Sequence, residues 1–127
     1  MFCDSKYYVG LYDSGKAHLF ADCIQAGPLF IQGGNLRYDS DVNNQGELAL
    51  VRSVQTQSFV CTTENGQLII DVSTAMRLDV FGRLARDKLN CHDALRLTGL
   101  TTSGLYYGKG LVGHDELPLT SVIAIFQ

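Results

Sequence analysis

The chain has no tryptophan, only two prolines among 127 residues, and few charges, 18% against the roughly 25% of an average domain. Basic excess is missing as well: ten Lys and Arg stand against thirteen Asp and Glu, a net charge of −3. Neutralising a phosphate backbone needs a cationic face and its counterion release, so nucleic acid is excluded as a partner. No stretch approaches the roughly 20 apolar residues that span a bilayer, so no membrane segment is expected. The opening Met1-Phe2-Cys3-Asp4-Ser5-Lys6 has an acid at position 4 and lacks the apolar core of a signal peptide. A cytoplasmic or virion location is the expectation. Cys3, Cys23, Cys61 and Cys91 form no C-x-x-C pair, which argues against a zinc ribbon or a redox dithiol. An even count permits two disulfides, but without a secretory signal the better expectation is four reduced, mostly buried thiols.

What is present is enough apolar content, 46%, for one core, and the length suits a single domain over 1–127. The clearest local signal runs from Ser58 to Val72 around Asn65-Gly66. That dipeptide suits a two-residue type I′ turn, where both positions need positive φ. Folding there sets Thr63 opposite Leu68, Cys61 opposite Ile70 and Phe59 opposite Val72. Further strands are expected at Tyr7 to Tyr12, Glu47 to Val54, Ala75 to Val80, Asp93 to Thr98 and Leu119 to Phe126. Gly33-Gly34-Asn35 and Asn43 to Gly46 are turn signals. Lys16 to Ala26 fits either a helix or a second strand. A short helix is expected at Arg83 to Asn90, since extending it back to Met76 would draw Arg77 and Lys88 into its apolar arc. Many short strands separated by turns give an all-β or β-dominated, antiparallel fold, sandwich- or barrel-like, with at most one or two short helices.

Three motifs carry chemistry by their letters. Gly10-Leu11-Tyr12-Asp13-Ser14-Gly15-Lys16-Ala17 resembles the phosphate-binding loop of Arf-like small GTPases. The resemblance implies nucleotide binding, with Gly10 and Gly15 letting backbone wrap phosphate and Lys16 neutralising it. Ala17 departs from the family, which places a Mg²⁺-ligating hydroxyl there, and a glycine-containing hairpin turn explains the same letters. Gly108-Lys109-Gly110-Leu111-Val112-Gly113 fits G-x-G-x-x-G, but His114-Asp115-Glu116-Leu117-Pro118 follows and the chain ends at Gln127. A dinucleotide site needs a helix and a later acid, so this segment is expected to be a glycine loop. Cys91-His92-Asp93 places a nucleophile, a base and an orienting acid in a row. Neighbours on a strand face opposite ways, which counts against them as a unit. A small Cys/His enzyme with a distant partner, His18 or His114, is the alternative. A metal site from His92, Asp93, His114 and Asp115 has no supporting spacing.

Four of the six tyrosines fall in the pairs Tyr7-Tyr8 and Tyr106-Tyr107, and one ring of each pair is expected to stay accessible for contacts. With no assembled catalytic motif, the first expectation is a non-enzymatic structural or assembly protein. It would be a self-associating β-rich subunit, such as a capsid-decorating or tail-associated component of a virus or bacteriophage particle. Its partners would be itself, as a homo-oligomer, or other assembly proteins. Tyr7, Tyr106, Tyr107, Val122, Ile123, Ile125 and Phe126 are the interface candidates. No catalytic residue, cofactor or metal is assigned. A phosphate- or nucleotide-binding module using Gly10, Gly15 and Lys16 is the second expectation.

Overall fold

The structure, a computed structural model, describes residues 1–3, 8–11, 15, 19, 22–38, 45–99, 105–107 and 110–112. A five-stranded antiparallel sheet is its frame. Its strands are β4 (Leu29–Gln32), β5 (Asn35–Leu36), β6 (Gln57–Thr63), β7 (Leu68–Val72) and β8 (Cys91–Gly99), in the spatial order β5-β4-β8-β6-β7. Helices α1 (Gln45–Arg52) and α2 (Leu78–Leu89) supply Val51, Leu78, Phe81 and Ala85 to one face. A ribbon of β1 (Phe2–Cys3), β2 (Tyr8–Val9) and β3 (Cys23–Ile24) supplies Phe2 and Val9 to the other. β9 (Leu105–Tyr107) and β10 (Gly110–Val112) form a separate hairpin. The fold is thus β-dominated and antiparallel, with two short helices among the described residues. On one face, helices take the place of a second sheet.

The core divides with the sheet. Phe59, Cys61, Ala94 and Cys91 face the helices, where Phe81 meets Phe59 edge-on at 4.7 Å between ring centres and Phe30 at 5.7 Å. Val60, Leu95 and Leu29 face the ribbon. Helix α2 buries Leu78, Phe81, Gly82 and Ala85, the i, i+3, i+4, i+7 stripe of an amphipathic helix. Gly82 permits a close approach, since a Cβ there would lie 3.2 Å from Leu36.

The Asn65-Gly66 hairpin is present, but its register differs from the expectation by one residue. Thr62 faces Leu68, Cys61 faces Ile69 and Phe59 faces Asp71. Gly66 has positive φ (76°) and Asn65 does not, so the turn is not type I′. The Gly66 N–H donates to Thr63 O, and Thr63 N–H donates to Gln67 O, both at 2.9 Å. This is a type I turn followed by a left-handed glycine bulge, a three-residue loop. The extra residue rotates β7 by one face: Ile69 joins the helix-side core, and Leu68 and Ile70 the ribbon side.

Further corrections concern the helices. Glu47 to Val54, expected as a strand, is mostly α1; its Glu, Ala, Leu and Arg are good helix formers, and tertiary packing of Val51 settles the choice. Ala75 to Val80 is no strand. Met76 makes an isolated bridge to Gln55, and α2 starts at Leu78. The expected helix at Arg83 to Asn90 is therefore longer at its start. Arg77 is its N-cap, outside the packed stripe, and Lys88 is exposed, so neither charge enters the apolar arc. Asp93 to Thr98 lies inside β8 as expected, and Gly33-Gly34 forms the β4–β5 turn with both φ positive. Gly46 lies within α1. Tyr8–Val9 is a strand within Tyr7 to Tyr12, and Cys23–Ile24 a strand within Lys16 to Ala26, of which 16–18, 20 and 21 lie outside the described residues. Gly110 to Val112, expected as loop, pairs with β9. Leu119 to Phe126 lies outside the described residues.

Candidate functional site

Three turns meet at one end of the sheet and enclose a cleft of about 460 Å³. Gly33 and Gly34 come from the β4–β5 turn, Glu64 and Asn65 from the β6–β7 turn, and Asn90 and His92 from the junction of α2 with β8. Asn90 ends α2 in the left-handed conformation (φ 55°, ψ 34°), its N–H bonded to Ala85 O, and this sharp stop turns the chain directly into β8.

At that junction the ladder is irregular. Thr62 pairs with Asp93 and Thr63 with Cys91, leaving His92 as an extra residue between them. A bulge of this kind re-aims adjacent side chains. His92 Nδ1 lies 2.8 Å from Asp93 Oδ2, and Asp93 Oδ1 accepts the Gly33 N–H at 2.9 Å. The backbone closes the same joint, with Gly34 N–H donating to His92 O at 2.8 Å. When the Asp93 carboxylate accepts this bond Nδ1 is the donor, and in the neutral ring that tautomer leaves Nε2 as an acceptor. Half-burial of both side chains keeps the ring in the cleft wall yet reachable.

The rest of the lining is mostly polar, with Leu89 as its apolar side chain. Glu64, Asn65 and Asn90 are exposed, and Arg86 on the last turn of α2 holds Asp87 through Nε at 2.7 Å. Arg86 draws Asp87 below the usual carboxylate range through that hydrogen bond, against a small effect of burial. Thr63 is buried, and its Oγ1 accepts the Gln67 N–H at 3.0 Å.

Cys91 closes the floor of the cleft and is not a thiol. It is disulfide-bonded to Cys61 on the neighbouring strand, with 5.7 Å between Cα atoms and both residues buried. Cys23 is disulfide-bonded too, and its backbone stands opposite Cys3 in the ribbon. The expectation of reduced thiols is therefore corrected at Cys23, Cys61 and Cys91. It rested on residue pattern near the first residues, which does not say which cysteines the sheet brings into register. His92 and Asp93, by contrast, form the contact that strand alternation argued against, because the bulge suspends alternation there. No sequence signal marks that bulge.

Other candidates fall elsewhere. Gly10 directly follows β2 of the antiparallel ribbon; its N–H donates to Met1 O at 3.0 Å, and a Cβ there would come within 2.8 Å of the Tyr8 ring. That glycine serves close packing, and its N–H is already committed. Gly15 is exposed, and Lys16 lies outside the described residues, as do Tyr7, His18, His114, Asp115, Val122, Ile123, Ile125 and Phe126. Tyr106 and Tyr107 belong to β9, opposite Leu111 and Gly110. Among the described residues no three His, Cys, Asp or Glu side chains gather to hold a metal ion, and no helix is long and apolar enough to cross a membrane.

With this geometry in view, the chain can be set beside known proteins. The likeness is structural. A crystal structure of a hypothetical protein from Synechocystis superposes with a TM-score of 0.61 at 24% identity, covering 77% of this chain and 19% of that one. At that identity the likeness shows the fold alone, and this chain spans about a fifth of that protein. No family model matches the chain, and no curated protein does.

Proposed function

We propose that the protein is a binding module for a small, hydroxyl-bearing polar ligand held in the cleft beside His92. The observation that carries this reading is the fixing of His92 by Asp93, itself anchored on the Gly33 N–H. That arrangement holds the ring of a cleft-lining residue by Nδ1, leaves Nε2 as its other ring nitrogen, and limits the entropy lost when a ligand hydroxyl donates to it. Glu64, Asn65, Asn90 and Arg86 add acceptors and donors around the same space, a lining suited to a ligand that is polar all round. Binding is favoured over acyl or thiol chemistry because Cys91 sulfur is held in the disulfide.

The test is nuclear magnetic resonance titration of the ¹⁵N-labelled protein with glucose and with myo-inositol, in non-reducing buffer. Saturable shifts at His92, Asn65 and Asn90, lost in His92→Ala, are expected. Absence of shifts at all three positions up to 100-fold excess over protein would sink the reading.

A second reading, self-association as a subunit of a β-rich assembly such as a virus or phage particle, has one supporting observation. Strand β7 is the outer strand of the sheet, and its far edge pairs with no described strand. Unpaired edges of this length template strand addition. Light scattering across concentrations separates the readings. A closed oligomer that dissociates on Ile70→Pro, at a ladder position whose N–H points away from β6, supports assembly through this edge, and a concentration-independent monomer removes it.

A further inference from the structure

Arg96, on β8, is 9% exposed, with its side chain on the helix-covered face near the buried Gln57 and Gln55. Its Nε donates to Gln57 Oε1 at 2.8 Å, and its Nη2 to Gln55 Oε1 at 3.3 Å. Both acceptors are neutral. Each amide is held from its other side: Gln57 Nε2 donates to Met76 O at 3.2 Å, and Gln55 Nε2 to Ser53 Oγ at 2.6 Å. Ser53 Oγ in turn donates to Leu50 O in the last turn of α1. The glutamine oxygens are therefore locked toward the guanidinium, and its plane is fixed before any ligand arrives.

Charge balance is missing from this arrangement. Among the described residues no carboxylate pairs with Arg96. A desolvated cation held only by neutral amides is unfavourable, and burial accordingly lowers the affinity of Arg96 for its proton. The guanidinium is not sealed, however. Ser58 Oγ is the one sealed side-chain polar atom without a hydrogen-bond partner among the described residues. The Nη1 amine, which none of the hydrogen bonds above uses, therefore reaches solvent.

We infer that Arg96 is the recognition group of an oxyanion site, taking a carboxylate or phosphate oxygen on its Nη1 side while Gln55 and Gln57 hold the guanidinium plane. Two donors in a rigid planar fork match such an anion, and the anion supplies the charge the interior lacks. This site is built from different residues than the His92 cleft and stands or falls separately from it.

Thermal denaturation of the full chain with sodium phosphate, sodium acetate or sodium chloride at matched ionic strength tests the inference. Phosphate or acetate should raise the melting temperature saturably, by about 5 °C at 20-fold excess over the dissociation constant, with chloride giving no saturable rise. Which of the two anions acts first identifies the source as phosphate-bearing or carboxylate-bearing. Arg96→Lys should abolish the response. Should that variant fail to fold, Gln55→Glu provides the independent arm. A carboxylate placed against Arg96 should raise the melting temperature without anion and cancel the anion response. No saturable rise in the wild type, or an undiminished rise in Gln55→Glu, overturns the assignment.

Discussion

His92 and Asp93 are consecutive residues of one strand whose side chains nevertheless meet, Nδ1 to Oδ2 at 2.8 Å. The bulge that leaves His92 unpaired in the β6–β8 ladder makes this contact. Asp93→Asn keeps the shape of the side chain and changes what it can offer. An amide can donate to Nδ1, so the imidazole should shift its proton toward Nε2 and lose its lone pair in the cleft. The ring-nitrogen spectrum of a ¹⁵N-histidine sample reads this directly. Glucose-induced shifts should vanish with it, and stability should fall by about 1 kcal/mol. An unchanged tautomer would refute the role given to Asp93.

The disulfide between Cys61 and Cys91 closes a loop of 30 residues in sequence separation. Chain-entropy reasoning assigns such a closure about 3–4 kcal/mol. Urea denaturation of the Cys61→Ser, Cys91→Ser double variant should show a loss of that order, and a reducing agent should produce the same loss in the wild type. A loss under 1 kcal/mol in both would mean the sheet alone fixes this joint.

Packing of α2 rests on Phe81 between Phe59 and Phe30. Phe81→Ala is expected to cost about 3–5 kcal/mol, as for other buried aromatics. Gly82→Val probes the opposite error. Any Cβ already lies 3.2 Å from Leu36, so the added methyls should push the helix off the sheet and cost about 2 kcal/mol. Calorimetric melting compares the two.

The register of the β6–β7 hairpin makes a sharper test, because two turn types predict different sensitivities. Only Gly66 has positive φ in this turn. Gly66→Ala should therefore cost about 1 kcal/mol, and Asn65→Ala much less. Equal losses at both positions would restore the type I′ turn and the alternative register.

Acid stability follows from Asp79 in the first turn of α2. Burial opposes its ionisation, but the Arg77 hydrogen bond, the Val80 N–H and the charges of Arg77 and Arg83 outweigh that and hold its carboxyl below the usual value. A depressed carboxylate contributes stability that is complete above its unfolded value near 4 and is lost as pH falls through the folded value. Wild type should lose more stability than Asp79→Asn between pH 5 and pH 2. Equal slopes in urea melts over that window would contradict it.

Much of the frame was legible from residue pattern. The Asn65-Gly66 hairpin, the Gly33-Gly34 turn and the strand at Asp93 to Thr98 carry local signals, glycine at positive φ or alternation, that need no distant partner. The helices were less legible. In Glu47 to Val54, the same apolar residues satisfy a period of 2 over a short window, and only burial of Val51 against the sheet distinguishes helix from strand. The cleft was legible as letters and not as geometry: Cys91-His92-Asp93 stood out, but alternation predicted divergence where the bulge produces convergence.

What the sequence determined by itself is the β-dominated antiparallel character and the positions of its tightest turns, because φ preference and side-chain period act within a few residues. Tertiary structure decided the rest. The one-residue register of β7, the pairing of Cys61 with Cys91, the docking of Gly33 on Asp93 and the burial of Arg96 between two glutamines all join residues distant in the chain. Each depends on which strands become neighbours and on where a ladder gains an extra residue, and burial of the shared core sets both.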